Sequence, residues 1–303
     1  MKHEIPDVSV IIVNFNNRDY LLKTLESLFE DLNGTESEIF VVDNASHDDS
    51  VVAVRRGFPA VKVIALPENI GYAGANNRGV EQASGEYLLF LNNDTYVPGS
   101  AIGKLLEITK NHPEYGIVAP LILYPDKSLQ LSWGRDLHLH TEVFLKFFAE
   151  KWYRRQFKRK KDRMSRNVDW VSGACFVIAR SLYQQVGGFD ERFFLYVEDA
   201  DFGKRIRRQG YHIHLTSEVR IVHYLGQSVS KVPGMAILEA KRSQLYYYCK
   251  HNTRGALAIL KCYLLFRFGL KRWLGCRGNE TGIAETCASI MDMIREFRCE
   301  DPT

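Results

Sequence analysis

The strongest constraint on this chain is an alternation of short apolar runs and amphipathic stretches over its first 125 residues. "VSVIIVNF" is rich in Val and Ile, as a strand buried on both faces must be. Leu21, Leu22, Leu25, Leu28, Phe29 and Leu32 then recur on one helical face, and Asn33-Gly34 closes that helix. "EIFVVDNAS" reads as a second strand, with a helix through Val51, Val54 and Arg55 after it. "VKVIAL" is a third strand, "GANNRGVEQASG" a short helix and "EYLLFLNND" a fourth strand. "SAIGKLLEITKNHP" is a helix and "YGIVAPLILY" a fifth strand. Strands and helices in this order predict an α/β fold: a mostly parallel sheet with right-handed crossovers, flanked by helices.

The pattern breaks between about 135 and 167, where "VFLKFFAEKWYRRQFKRKKDRMSR" turns from apolar to strongly basic. It resumes with "VDWVSGACFVIARSLYQQVGGFDE", a strand and a helix. "FFLYVEDADFGKRIRRQG" predicts a helix with Glu198, Asp199 and Asp201 in its first turn and Gly210 as its stop. "YHIHLTSEVRIVHYLG" reads as two short strands. From Lys241 to about Leu274 the chain is helical, aromatic and basic, and the last 25 or so residues are weakly patterned. The expected organisation is one domain over 1–235, with halves at about 1–125 and 168–235 around the basic insertion at about 135–167. A helical C-terminal extension spans 236–303.

In parallel sheets, ligands sit beyond the carboxyl ends of the strands. Four of those ends are unusually polar: Asn14 and Asn16, Asp43 and Asn44, Asn69 and Gly71, and Asn92-Asn93-Asp94. Turn chemistry accounts for any one of them, since Asn, Asp and Gly favour turns. Four at one rim point instead to a polar ligand.

Bulk properties exclude several classes. The net charge of +4 is too weak to argue for nucleic acid. No stretch reads as a signal peptide, and no run of about 18 apolar residues suggests a membrane span. The six cysteines form no C-x-x-C pair, so a zinc ribbon is not expected. Without an export signal they are expected as reduced thiols in the cytosol.

The motifs "SVIIVNFNN", "VVDNASHDDS", "ENIGYAGANNRG", "LLFLNNDT", "VSGACFVIARSLYQQVGGFDERFFLYVEDADFGKRIRRQG" and "VHYLGQS" occur in an order that resembles family 2 glycosyltransferases of the GT-A fold. The resemblance covers roughly residues 7 to 230 and is closest to the bacterial rhamnosyltransferase-like branch. It implies a donor site in which Val13, Asn14, Asn16 and Asp43 receive the pyrimidine and ribose of a nucleotide sugar. Asn69, Gly71, Asn76, Asn92 and Asn93 would line the same cleft. Where the family reads D-x-D, this chain has Asn92-Asn93-Asp94. One carboxylate can still serve Mg²⁺, which uses substrate phosphate oxygens and water for most of its shell. The resemblance implies Asp94 as metal ligand and His223 as its partner, with Mg²⁺ or Mn²⁺ as the cofactor.

Asp199 matches the family's catalytic base. A single base with in-line attack implies inversion at the anomeric carbon, and an ordinary carboxylate pKa of ~3.9 would suffice. Asp199 could instead only cap its helix, the role that Glu198 and Asp201 fit better. Trp170, Gly173 and Glu198 fall on the acceptor side; Trp170 could stack on a sugar or belong to the core. His223 could equally be a packed histidine. The H-x-H pairs at 138/140 and 212/214 follow strand alternation and are assigned no chemistry.

The expected donor is a dTDP- or UDP-sugar, with dTDP-L-rhamnose favoured by the branch. UDP-galactose, UDP-galactofuranose and UDP-GlcNAc are alternatives. The expected acceptor is a glycan, for instance on a polyprenyl diphosphate, in cell-surface polysaccharide synthesis. A Rossmann oxidoreductase lacks support because "NFNN" stands where G-x-G-x-x-G would be. A non-catalytic nucleotide-sugar binding protein remains the rival. Basic and aromatic residues interleave from Phe144 to Arg166, which suits an anionic membrane surface, or simply a solvated loop. "ALAILKCYLLFRFGLKRWL" reads as an interfacial helix or as one packed on the domain. Either way the expected location is cytoplasmic, peripheral at the inner face of the membrane.

Overall fold

The computed structural model describes residues 6–139, 165–224, 233–277 and 281–299. The basic, aromatic stretch proposed above for a membrane surface lies, apart from its last two residues, outside the described residues.

The first half follows the alternation. Strands β1 (Val8–Asn14), β2 (Ser37–Asp43), β3 (Lys62–Ala65) and β4 (Tyr87–Leu91) are joined by helices α1 (Arg18–Asp31), α2 (Ser50–Gly57) and α3 (Gly71–Gln82). A short β5 (Thr95–Tyr96), helix α4 (Ala101–Asn111) and β6 (Tyr115–Leu123) come next. β7 (Trp133–Gly134) and β9 (Trp170–Val171) form a two-stranded sheet of their own. β8 (Arg166–Val168), β10 (Cys175–Ala179), α5 (Arg180–Gln185), α6 (Glu198–Arg208) and β11 (His212–His223) complete the α/β part.

The main sheet runs β3-β2-β1-β4-β10-β6-β11-β5, with β8 also on β11. β1 pairs in parallel with β2 and β4, β2 with β3, and β6 with β11. β10 is antiparallel to both neighbours. β6 and β11 therefore run in the same sense as β1 to β4, and all their carboxyl ends share one rim. β10, running the other way, brings its amino end to that rim.

Strand side chains alternate between two cores. Ile11, Phe40, Val42, Leu88 and Phe90 pack with α3, α5 and α6 on one face. Val10, Ile12, Ile39, Val41 and Leu89 pack with α1, α2 and α4 on the other. Full burial of each such side chain contributes about 1.5–3 kcal/mol. This two-sided burial makes the strands near-continuously apolar until the rim, where polar residues begin.

Three expectations need correction. "YHIHLTSEVRIVH" is one strand with a register shift between Thr216 and Arg220, not two strands, because the irregularity is absorbed without leaving β6. The C-terminal part is helical from α7 (Pro233–His251) through α8 (Arg254–Arg277) to α9 (Thr281–Glu296), so the weakly patterned end is also a helix. Cys287, Ile290 and Ile294 recur on one face of that helix and meet a third core, around Tyr247, Tyr248, Leu260 and Leu264, instead of the sheet. Finally, Cys249 and Cys299 are joined as a disulfide, with Cα atoms 5.7 Å apart, so the reading of all six cysteines as reduced thiols does not hold. The fold of α9 back along α7 places this pair together, which 50 residues of separation conceal.

Candidate active site

The rim is built on a buried ladder of amides. Asn14, at the end of β1, donates to Asp43 Oδ1 at 3.0 Å and to Ser46 Oγ at 3.2 Å. It accepts from Asn93 Nδ2 at 2.7 Å, while Asn93 accepts from Asn17 Nδ2 at 3.1 Å. Asp43 Oδ2 accepts the Ser46 amide at 3.0 Å. Asn14, Asp43 and Asn93 are all buried. They form the floor of the rim and lock the tips of β1, β2 and β4 in register. A carboxamide suits this place because it donates and accepts at once without carrying charge.

Asn44 and Asn69 build the next turn. Asn44 donates to Asn69 Oδ1 at 2.8 Å and to the Gly71 carbonyl at 3.1 Å. Asn69 Oδ1 also accepts the Gly71 amide at 3.0 Å. Gly71 has φ +80°, and a Cβ there would stand 2.3 Å from the Phe194 carbonyl oxygen. Gly71 thus serves the close approach of the 194 segment, where the sequence suggested the approach of a ligand. Asn76 is buried one turn into α3 and donates to the Tyr72 carbonyl at 2.9 Å. Val13, Asn16, Asn69 and Asn92 retain partial exposure. Asn16 also borders an open cleft of about 460 Å³ shared with Arg18, Tyr20, His47 and Asp48.

The β4 tip meets the end of β11. Their neighbours pair directly, His223 opposite Thr95. His223 Nε2 lies 2.9 Å from Asp94 Oδ1 and 3.2 Å from Asn92 Nδ2, and Nδ1 lies 2.7 Å from Gln130 Oε1. In the tautomer that donates Nδ1–H to Gln130, the Nε2 lone pair accepts from Asn92 Nδ2 and lies beside the Asp94 carboxylate. Two cis donors on an octahedral ion with bonds of about 2.1 Å stand about 3.0 Å apart. A histidine oriented through its second nitrogen and a carboxylate at this separation fit a divalent cation. Among the described residues no third His, Cys, Asp or Glu joins them. The remaining positions would fall to diphosphate oxygens and water.

The acceptor side hangs on residues 172–174, which lead into β10. The Asn92 amide donates to the Ala174 carbonyl at 3.0 Å. The Gly173 backbone amide lies close enough to the Asp199 carboxylate to pull its pKa down, and the Gly173 carbonyl accepts from Tyr72 Oη at 2.8 Å. Asp94 and Asp199 therefore flank one short segment on the same rim. Asp199 also accepts its neighbour Ala200's amide at 2.7 Å. Burial pushes its carboxyl up to about 6 against the pull of those backbone donors, so the ordinary value expected from sequence is corrected. Burial, and then the charge of Asp199, raise Glu198 well above the carboxylate range. Glu198 Oε2 is buried and meets no hydrogen-bond partner among the described residues.

Strain gathers here. Tyr196 and Val197, just before Glu198, have φ of 67° and 71°. For a β-branched residue this is a genuine outlier, and such strain clusters where structure over-determines a functional backbone. Trp170 is not drawn into the cleft in the same way. Its Nε1 donates to the Arg135 carbonyl at 2.9 Å, and its ring packs at Gly134 and against the C-terminal helices. Tyr72, Gln130, Asn17 and Ser46 were missed by sequence reading. Tyr72, Asn17 and Ser46 did carry a signal, their places in "ENIGYAGANNRG", "SVIIVNFNN" and "VVDNASHDDS", while Gln130 carried none.

A mixed sheet with a ligand-ready rim, a carboxylate–histidine pair and a raised carboxyl define a sugar-nucleotide transferase of the GT-A type. The model of Glycosyl transferase family 2 matches residues 9–187. The chain belongs to that family and is a glycosyltransferase of its rhamnosyltransferase-like branch. It is 27% identical over 293 residues to the N-acetylglucosaminyl-diphospho-decaprenol L-rhamnosyltransferase of Mycobacterium tuberculosis, covering 87% of this chain and 94% of that one. It is 26% identical to the rhamnosyltransferase WbbL of Escherichia coli K12, covering 72% and 83%. Its fold is similar to that of GalNAc-T7, solved with UDP, GalNAc and Mn²⁺, at a TM-score of 0.56 and 17% identity. That match covers 82% of this chain and about half, 51%, of the other.

Proposed function

We propose that this chain transfers L-rhamnose from dTDP-L-rhamnose to a hydroxyl of a lipid-linked glycan in cell-surface polysaccharide synthesis. The reaction inverts the anomeric carbon. The observation that supports this reading is the segment 173–174, whose Ala174 carbonyl accepts the Asn92 amide and whose Gly173 amide lies beside Asp199, so that a leaving-group side and a base side would share one cleft. The names of the two relatives above support the sugar and the lipid-linked acceptor.

Asp94 and His223 would hold a divalent cation, Mg²⁺ or Mn²⁺, whose charge offsets that of the departing diphosphate. Val13, Asn16, Asn69 and Asn92 contact the donor, above the floor of Asn14, Asp43, Asn76 and Asn93. Asp199 receives the acceptor hydroxyl proton as its oxygen bonds to the anomeric carbon and the bond to the diphosphate breaks. Burial and the neighbouring Asp199 charge push the Glu198 carboxyl up, which favours its neutral form beside the base. Gly173 keeps Asp199 in place through its amide. Residues 1–235 form the transferase domain and 236–303 an extension that supports it. The protein works peripherally at the cytoplasmic face of the membrane, where such an acceptor is reached.

A thermal-shift screen of nucleotide sugars with and without Mn²⁺ tests the donor. Saturation at about 100 times Kd stabilises the native state by about 2.7 kcal/mol. dTDP-L-rhamnose with Mn²⁺ is expected to give the largest rise, and a larger rise with a UDP-sugar would reassign the donor. His223→Ala is expected to weaken Mn²⁺ binding, read by calorimetry with dTDP present, by about 10–100-fold. Unchanged Mn²⁺ affinity in that variant would remove His223 from the cation site.

A further inference from the structure

Helix α8 carries two apolar stripes, centred about 125° apart, and only one of them is covered. Leu257, Leu260, Leu264 and Phe268 are buried in the C-terminal core. Ile259, Phe266, Leu270 and Leu274 recur on the other side, and Phe266 is 73% exposed. At 3.6 residues per turn these four lie within about 80° of arc, along about 23 Å of helix. Trp273 lies half-exposed on the same line.

The helix contains no Asp or Glu, but it holds Arg254, Lys261, Arg267, Lys271, Arg272 and Arg277. Arg254, Arg267, Lys271 and Arg272 are exposed. The buried face fixes the helix to the protein, so the outer face is not available for the core. Among the described residues no helix is long and apolar enough to cross a membrane, and these charges explain why α8 is not. A second copy of the chain would bring like charges together along its whole length. An anionic bilayer surface meets both features at once, taking the apolar line among its acyl chains and, at its phosphates, Arg267 and Lys271, which flank that line at about 60° and about 100° around the helix.

We propose that the outer face of α8 docks this enzyme onto an anionic lipid bilayer, lying in the interface with Phe266 and Leu270 as its central anchors. The proposal deepens the reading of a lipid-linked acceptor, since docking would bring the cleft to the surface where such a substrate lies. Its test does not require that reading to hold. The full chain is sedimented with vesicles of phosphatidylcholine alone, and of phosphatidylcholine with phosphatidylglycerol, at low and high salt.

The wild type is expected to bind the anionic vesicles at least about tenfold more tightly than the neutral ones, with the difference shrinking in salt. Phe266→Glu with Leu270→Glu is expected to lower that binding at least about tenfold. Arg267→Gln and Lys271→Gln together are expected to lower the preference for anionic lipid at least about tenfold. Both sets lie on exposed positions, so unfolding midpoints and transfer to a short soluble acceptor should stay as in the wild type. Equal partitioning of the wild type onto both vesicles would overturn the proposal, as would wild-type binding by the Glu variant. A dimer in sedimentation equilibrium that the Glu variant dissolves, without vesicle binding, would give the face to a second copy and overturn it too.

Discussion

Asp199→Asn is expected to lower transfer by roughly 10²–10⁴-fold while dTDP-L-rhamnose binding stays at the wild-type level. The carboxamide keeps the shape and, through its one oxygen, the hydrogen bond from Ala200, but it cannot take a proton. The same change should raise the unfolding midpoint at pH 7.5. Burial lifts the Asp199 carboxyl to about 6, above its ordinary value, so the folded state favours the protonated form. Its contribution to stability is therefore full below the ordinary carboxylate range and is lost as pH rises through about 6. At pH 7.5 the wild type holds a disfavoured buried charge that Asn does not carry, a difference on the order of 1 kcal/mol. In the wild type, transfer should fall as pH drops below about 6, because the base is then protonated. Stabilisation with loss of turnover is the signature of a catalytic group in a costly environment. Wild-type turnover, or a variant less stable than the wild type, would leave Asp199 as a mere helix-terminal residue.

Much of this site was legible from sequence, and for a physical reason. Strands buried on both faces are written as unbroken apolar runs, so their ends are sharp. The polar residues at those ends stand out, and Asn14, Asp43, Asn69 and Asp94 do lie on one rim. What those residues touch was less legible. Asn14, Asp43 and Asn93 are spent on one another, because a rim that gathers several strand ends has buried amides to satisfy before it meets a ligand. Gln130 lies 93 residues from His223 and in no pattern, so nothing marks it until β6 and β11 are paired. The antiparallel insertion of β10 between β4 and β6 is equally silent in periodicity. It is nevertheless the feature that carries residues 172–174 to the rim and joins the two halves of the cleft. The disulfide between Cys249 and Cys299 and the core beneath α9 depend on how three helices fold back on one another. Local patterning does not encode that return.

The second large effect is expected in the same first helical turn as the proposed base, at Asp201. Tyr196 and Val197 would relax from positive φ if nothing held them, at a gain of about 1–3 kcal/mol each. They are held from both sides by α7. Asp190 accepts from Tyr246 Oη at 2.9 Å and pairs with Lys250 at 2.7 Å. The Leu195 carbonyl accepts from Ser243 Oγ at 2.9 Å. Asp201 is fully buried and meets Lys250 at 2.7 Å, His251 Nε2 at 2.6 Å and Arg205 at 2.8 Å. Burial alone would raise its carboxyl, but the His251 hydrogen bond and the Arg205 and Lys250 charges hold it well below the usual range. Burial pushes the His251 pKa down. Asp201→Ala strips a buried charge from its partners and is expected to cost about 3–5 kcal/mol of stability. Transfer should fall as well, in kcat more than in KM for the donor, because Glu198 and Asp199 begin the helix that Asp201 pins. Asp201→Asn keeps a partner for His251 and should lose less of both. The depressed carboxyl also sets a pH window. Its contribution is full above the ordinary carboxylate range and is lost as pH falls below it, so the acid sensitivity of the wild type should be blunted in the Asn variant. A double-mutant cycle with Lys250→Met separates the pair from general disruption. Strong coupling is expected, and additivity within about 0.5 kcal/mol would detach α7 from the control of the catalytic segment.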